Sequence, residues 1–296
     1  MGLTSNEIAL TLSFEGSDAD RHLIDFYDVT QALLGFQRSL ALTTHLVLNG
    51  EIITQAPSLK GAIIYAVPPE PGSWKTTAVI SAIGISAYNL ATLQNNSPLG
   101  HIVYSLYDYV VSESIGTHVD YNKSLGQLYE EAKKKNPGLK PVTESQADSL
   151  IEKCSTAIRE MHRPIYKNKT AESASILCAY GTEREKPLNS KLTIQGYEFL
   201  FETHTSDAAE ELVGRVSSYN SNTFKGRIFI PEFGRPVVFE LAQSSRTLVA
   251  VQLITASLSA NAIKNYSDTA SSIKVLAFRN TSRSGHLKSL HVVSVS

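Results

Sequence analysis

Few side chains in this sequence are spaced for catalysis. Lys75–Thr76 closes "PGSWKTT" as a phosphate-binding loop closes, but such a loop needs glycine directly before the lysine and another five positions earlier. Trp74 and Pro69 stand there instead, so the residues read as the end of a proline-rich hairpin. Glu15, Asp18, Asp20 and His22 offer oxygen and imidazole donors to a divalent cation. Acidic residues also gather at a helix start for dipole reasons alone, and no metal is expected. His101 and Asp108 fall on one face of a predicted helix but about 10 Å apart along its axis, beyond hydrogen-bond reach. Ser271 and Lys274 fit S-x-x-K on a predicted strand rather than at a helix start. Neither GxSxG nor HExxH occurs. No cofactor is expected, and an enzyme with a site between domains is kept only as an alternative.

The other coherent set of side chains lies in "NTFKGRIFIPEFGRPVVFEL", residues 222–241. Alternation puts Arg227 and Phe229 on one face of a strand, with Ile228 and Ile230 on the other. Phe239 on the next strand is expected to join the first face, beside Arg235 at the turn. Small barrels that bind single strands pair a cationic groove with aromatic stacking platforms. Arg215, Lys225, Arg279, Arg283 and Lys288 are the expected phosphate contacts, and they make binding salt-dependent. The same barrels also bind proteins and sugars. A protein partner, a second copy of the chain included, is therefore the leading expectation, and nucleic acid through residues 211–296 the alternative.

Bulk composition leaves room for both. The 296 residues are 42% hydrophobic and 19% charged, enough for one large or two ordinary domains. Net charge is −1 but unevenly placed. Residues 211–296 hold ten Lys and Arg against four Asp and Glu, a net of +6, and residues 1–210 carry −7. Cys154 and Cys178 form no CxxC pair, which suits a reducing cytoplasm. No signal-peptide pattern opens the chain. "AVISAIGISAYNLATL", residues 78–93, is interrupted by Ser81, Ser86 and Asn89 and reads as a buried helix rather than a membrane span.

These residues need elements to hold them. "EIALTLSF" alternates as a half-buried strand. A long helix capped by Ser17 or Asp18 then runs to Asn49–Gly50. "GAIIYAV" and "SWKTTAVI" are two strands around "PPEPGS". Helices follow over 98–113, with Ser97 as cap, and over "LGQLYEEAKKK". A third covers "ESQADSLIEKCSTAIREMH", introduced by a Thr143–Gln146 capping box. "GTEREKPLNSK", residues 181–191, is the expected linker, with 203–211 a rival boundary. Three strands, a helix over "SRTLVAVQLITASLSANA" and two more strands follow, although residues 246–256 also alternate as a strand would. The fold expected is α+β. A small sheet covered by helices occupies residues 1–180, and an OB-like or SH3-like small β-barrel occupies 188–296.

"KGRIFI" is similar to the K-G-F-G-F-I element of cold-shock domains at Lys225, Gly226, Phe229 and Ile230, with Arg227 and Ile228 departing from it. Through "EIALTLSF", "PEPGSW" and "GRVSSYNSNTFKGRIFI" the chain resembles a bacterial family in which a strand-and-helix domain precedes a five-stranded barrel. No activity comes with that resemblance. It implies only a neighbourhood of mobile elements and defence loci. The expected function is a non-enzymatic cytoplasmic binding or adaptor protein.

Overall fold

The computed structural model describes residues 7–67, 74–83, 98–135, 141–180, 185–265, 271–283 and 285–296. The chain divides into two compact units, Met1–Leu200 and Phe201–Ser296. The predicted Ser97 cap, the "PPEPGS" turn and the stop at Asn136–Pro137–Gly138 lie wholly or mainly outside the described residues.

In the first unit, strand β1 (Glu7–Glu15) runs down the middle of an antiparallel sheet. Its neighbours are β3 (Lys75–Ala82) and β4 (Ser173–Tyr180), with β2 (Ala62–Val67) and the two-residue β5 (Lys186–Pro187) at the edges. The alternation in β1 is the physical cause of its position. Ile8, Leu10, Leu12 and Phe14 are all buried on one face, while Thr11 on the other shares a 2.8 Å hydrogen bond with Thr77. Residues 78–82 of the apolar segment belong to strand β3, not to a buried helix; residues 84–93 are not described.

Helices α1 (Phe26–Asn49), α2 (Pro98–Ser114) and α4 (Glu144–Met161) contribute Phe36, Leu40, Leu106, Val110, Leu150 and Ile158 to this core. A short helix, α3 (Gln127–Lys135), precedes α4. Helix α4 begins with the predicted capping box, both of its reciprocal bonds being present. The start of α1 differs from expectation. Ser17–Arg21 makes only a 3₁₀ turn, and the cap is Asp25, which accepts from the Asp28 N–H at 2.9 Å. His22, in a left-handed conformation, breaks the run between them. Strand β4 was not expected at all. Two short helices complete the unit, α5 (Arg163–Tyr166) and α6 (Ile194–Phe201).

Of the predicted linker, the described part, residues 185–191, is not free chain. Leu188 and Leu192 are buried in the first unit's core, and the Asn189 N–H and side-chain amide donate to Asp108 at 2.8 and 2.5 Å. Among the described residues no helix is long and apolar enough to cross a membrane.

The second unit is a closed five-stranded barrel. Strands β7 (Glu210–Asn220), β8 (Lys225–Ile230) and β9 (Arg235–Leu241) form an antiparallel meander. Strand β11 (Leu287–Val295) runs parallel to β9, and β10 (Ile273–Thr281) joins β11 back to β7. The two-residue β6 (His204–Thr205) extends one end of β10. Residues 246–256 resolve as helix: α7 (Leu248–Ala262), capped by Thr247. A β-bulge interrupts β7 at Val216 to Ser218, which frees backbone groups that must be paired elsewhere. Helix α7 supplies the partners. Ser257 Oγ accepts from Val216 N–H at 3.0 Å, and the Asn261 amide donates to the Val216 carbonyl at 3.1 Å.

Gly226 in β8 marks the tightest approach in the barrel. A Cβ there would stand 2.2 Å from the Ser218 carbonyl oxygen and 2.9 Å from the Phe239 ring. Gly226→Ala is therefore expected to cost about 2–3 kcal/mol by overpacking. Faster hydrogen exchange of the β7–β9 amides is the readout, and unchanged exchange would refute the contact.

Candidate functional site

The barrel's outer surface is built by strand parity. Gly226, Ile228 and Ile230 of β8 face inward, which leaves Lys225, Arg227 and Phe229 outward. On β9 the inward set is Val237, Phe239 and Leu241. Phe239 is thus a correction to the sequence reading: it is 2% exposed and lies parallel to Tyr219 at 6.3 Å, within the core rather than on a binding face. The signal was present, because Pro236 and Glu240 alternate against Val237, Phe239 and Leu241.

Phe229 does face outward. It sits opposite both Arg215 of β7 and Pro236 of β9, and the Arg215 guanidinium lies 5.3 Å from its ring centroid. Arg227 is a second correction. Although on the outward side, its residue is only 2% exposed, between Ser218 and Val238, so it is not open to a phosphate from solvent.

The remaining cations are engaged by local oxygen atoms. Arg279 clamps Glu210 through Nε and Nη2, reaches Glu232 at 3.3 Å, and stacks over Phe233 at 4.7 Å. Its bonds to Glu210 hold its pKa above the usual guanidinium value. Lys225 pairs with Glu240 at 3.8 Å, directly across the β8–β9 ladder, and Arg246 joins them at 3.6 Å. Arg235 donates to the Leu287 carbonyl at 3.0 Å, and Arg283 meets Glu202 at 3.6 Å. Lys288 donates to the Glu202 carbonyl and the Thr203 hydroxyl at 3.2 and 2.7 Å. Burial lowers its pKa.

Sequence reasoning counted Glu232 and Glu240 but left Glu202 and Glu210 out of the basic region, because it drew the charge boundary at residue 211. Glu202, Asp207 and Glu210 belong to the barrel unit. With them counted, that unit holds ten Lys and Arg against seven Asp and Glu, a net of +3, and the first unit carries −4. Each exposed pair contributes about 0–1 kcal/mol. Their larger effect is on recognition, since a phosphate must displace a carboxylate that already holds the cation.

The residues considered for catalysis are not brought together. His22 and His101 are exposed, the latter edge-on to Tyr180 at 5.8 Å. Asp108 is buried and committed to Asn189; burial raises its pKa, against those hydrogen bonds. Glu15 is held by Ser175 and Lys191, Asp18 by Arg21, and Asp20 by the Gly16 N–H. Among the described residues no group of His, Cys, Asp and Glu is arranged for a metal. Ser271 is buried, its carbonyl accepting from Ser257 Oγ at 2.8 Å, and Lys274 pairs with Glu211 at 3.1 Å. Lys75 lies in strand β3 opposite Ser13.

Against known families, the model described as "Domain of unknown function (DUF7946)" matches residues 10–192. The model described as "Family of unknown function (DUF7947)" matches residues 208–296. No curated protein and no solved structure matches the chain.

Proposed function

We propose that this chain, which belongs to the DUF7946 family and carries a DUF7947 region after it, is a non-enzymatic binding or adaptor protein whose barrel docks a protein partner. The observation that carries this reading is the compensation of the barrel's cations. Arg279, Lys225, Arg246, Lys274 and Arg283 each have a carboxylate within 4.0 Å. A surface of alternating sign is suited to a protein of matching charge pattern, and is poorly suited to a uniform polyanion. Arg215 and Phe229 supply the kind of aromatic and arginine anchor that concentrates binding energy at protein interfaces. Two buried free thiols fit a reducing, cytoplasmic setting.

A second reading, single-stranded nucleic-acid binding, draws on topology. The barrel order 1-2-3-5-4-1, with strands three and five parallel and a helix between three and four, is OB-like. Phe229 then lies outward on the second strand, where such modules stack bases. Fluorescence anisotropy of the full chain with labelled single-stranded DNA and RNA, across a salt series, separates the two. The protein-docking reading expects no saturable binding even at low salt. Tight binding with a steep salt slope, lost in Phe229→Ala and Arg215→Glu, would overturn it in favour of nucleic acid.

A further inference from the structure

Sheet edges invite pairing with other chains, and folded proteins blunt them with short strands, lysine or proline. This protein does so in most places. Strand β5 is two residues long and is Lys186–Pro187; the barrel closes on itself. Strand β2 is the exception among the described edges. "GAIIYAV", residues 61–67, contains no acidic or basic residue and no proline. Ile63 and Tyr65 project from it 42% and 51% exposed.

The backbone of β2 is half used. The Gly61 carbonyl accepts from Ile83 N–H at 2.9 Å, and the antiparallel register continues through Ile63↔Ser81 and Tyr65↔Val79. In such a ladder alternate residues direct both N–H and C=O to the same neighbour. Residues 61, 63, 65 and 67 therefore face β3, while Ala62, Ile64 and Ala66 turn their groups to the open side. No described strand pairs with that side.

We propose that two copies of this chain pair β2 to β2, antiparallel, about a two-fold axis at Ile64, joining two five-stranded sheets into one. The outward groups are self-complementary in that register. Ala62 exchanges both bonds with Ala66 of the second copy, Ile64 with its own counterpart, and Ala66 with Ala62. The same register sets Ile63 beside Tyr65 of the second copy, and Tyr65 beside its Ile63. These are the β-branched and aromatic cross-strand pairs that stabilise sheets. Charge selects a second copy as well. A two-fold antiparallel pairing brings the two copies of the edge's side chains close together, so any acidic or basic residue there would meet like charge, and residues 61–67 hold none. Pro68 follows at once and cannot donate to a ladder, which limits the pairing to this strand. An isologous contact uses up its own edge and closes as a dimer instead of growing into a fibre. The proposal concerns the first unit and does not depend on what the barrel binds.

Light scattering coupled to size exclusion on the full chain is expected to give twice the 32.3 kDa chain mass. Tyr65→Lys, which sets a cation against the apolar Ile63 of the second copy and brings two like charges diagonally across the axis, is expected to weaken the dimer at least about tenfold while far-UV circular dichroism is unchanged. Ile64→Cys tests the register independently of Tyr65→Lys folding. Directly paired residues in an antiparallel ladder have Cα atoms about 5.5 Å apart, within disulfide reach, and native Cys154 and Cys178 are buried. Mild oxidation is expected to link Ile64→Cys chains covalently and to leave Lys60→Cys chains unlinked. A monomer at the highest soluble concentration overturns the proposal. So does a dimer in which Ile64→Cys fails to cross-link.

Discussion

Phe239→Ala is expected to destabilise the barrel by about 3–5 kcal/mol, the cost of emptying a buried phenylalanine site, whereas Phe229→Ala costs about 0.5–1 kcal/mol. Both are phenylalanines on adjacent strands, and opposite strand faces separate them. Phe239 lines the barrel interior together with Ile228, Leu241, Ile254, Val275 and Val292, and barrel closure holds its strands apart, so the vacated space collapses little. Phe229 loses only its contact with Arg215 and the shelter of a half-covered face. Hydrogen exchange of the β8 and β9 amides resolves the effect in this unit separately from the rest of the chain. Equal exchange in the two variants would show that Phe239 is not in the core. For function the contrast reverses: partner binding is expected to fall with Phe229→Ala.

Acid is expected to unfold the first unit through His162. Its Nδ1–H donates to the Ile158 carbonyl at 2.8 Å, and Nε2 has no partner among the described residues. Burial pushes the imidazole down to about 4, with the bond to Ile158 acting weakly the other way. The folded pKa lies below the unfolded value of 6.5, so between those two values the unfolded chain binds more protons. Stability is therefore complete above pH 6.5, declines as pH falls toward 4, and is flat below. The interval corresponds to about 3 kcal/mol. His45, buried while its Nδ1 accepts from the Lys60 N–H at 3.1 Å, is shifted down mainly by burial and adds in the same direction. Asp108, raised by burial, acts oppositely at the acid end. The single tryptophan, Trp74, packs edge-on against Phe14 at 5.8 Å in this unit. Urea unfolding followed by its fluorescence reads the effect. His162→Gln should flatten much of the pH slope; an unaltered slope would assign the acid sensitivity elsewhere.

Where local pattern and tertiary demand agree, the elements were legible. Thr143 and Gln146 cap α4 because the capping box satisfies two orphan donors within four residues, whatever the fold around them. β1 follows from strict alternation, whereas over residues 246–256 helix and strand patterns competed, and the structure's Thr247 cap marks the helix. Strand β4 was missed although Ala174, Ile176, Cys178 and Tyr180 alternate as buried residues. Small and sulfur-bearing side chains give a weak period-two signal; what makes the segment a strand is its ladder with β1, from Ile8↔Tyr180 to Glu15↔Ser173. The start of α1 was misplaced because Ser17, Asp18 and Asp25 are all competent caps. The positive φ of His22, not composition, decides among them.

The candidate site divides in the same way. Sequence alone determined that a small β-barrel module occupies the last third of this chain, with residues 246–256 left open between helix and strand, and that cationic and aromatic residues crowd it. These properties depend on alternation, turn residues and formal charge, all of which are local. Tertiary structure decided which of those residues face outward and which are already partnered. Barrel closure sends Phe239 inward. The β7 bulge depends on Ser257 and Asn261, more than forty residues away (their roles are invisible without the fold). Glu210, Glu232 and Arg279 meet only because β7, β10 and the turn between β8 and β9 converge. Burial and ion pairing are properties of distance in space, and a linear sequence fixes that distance only after its long-range ladders have formed.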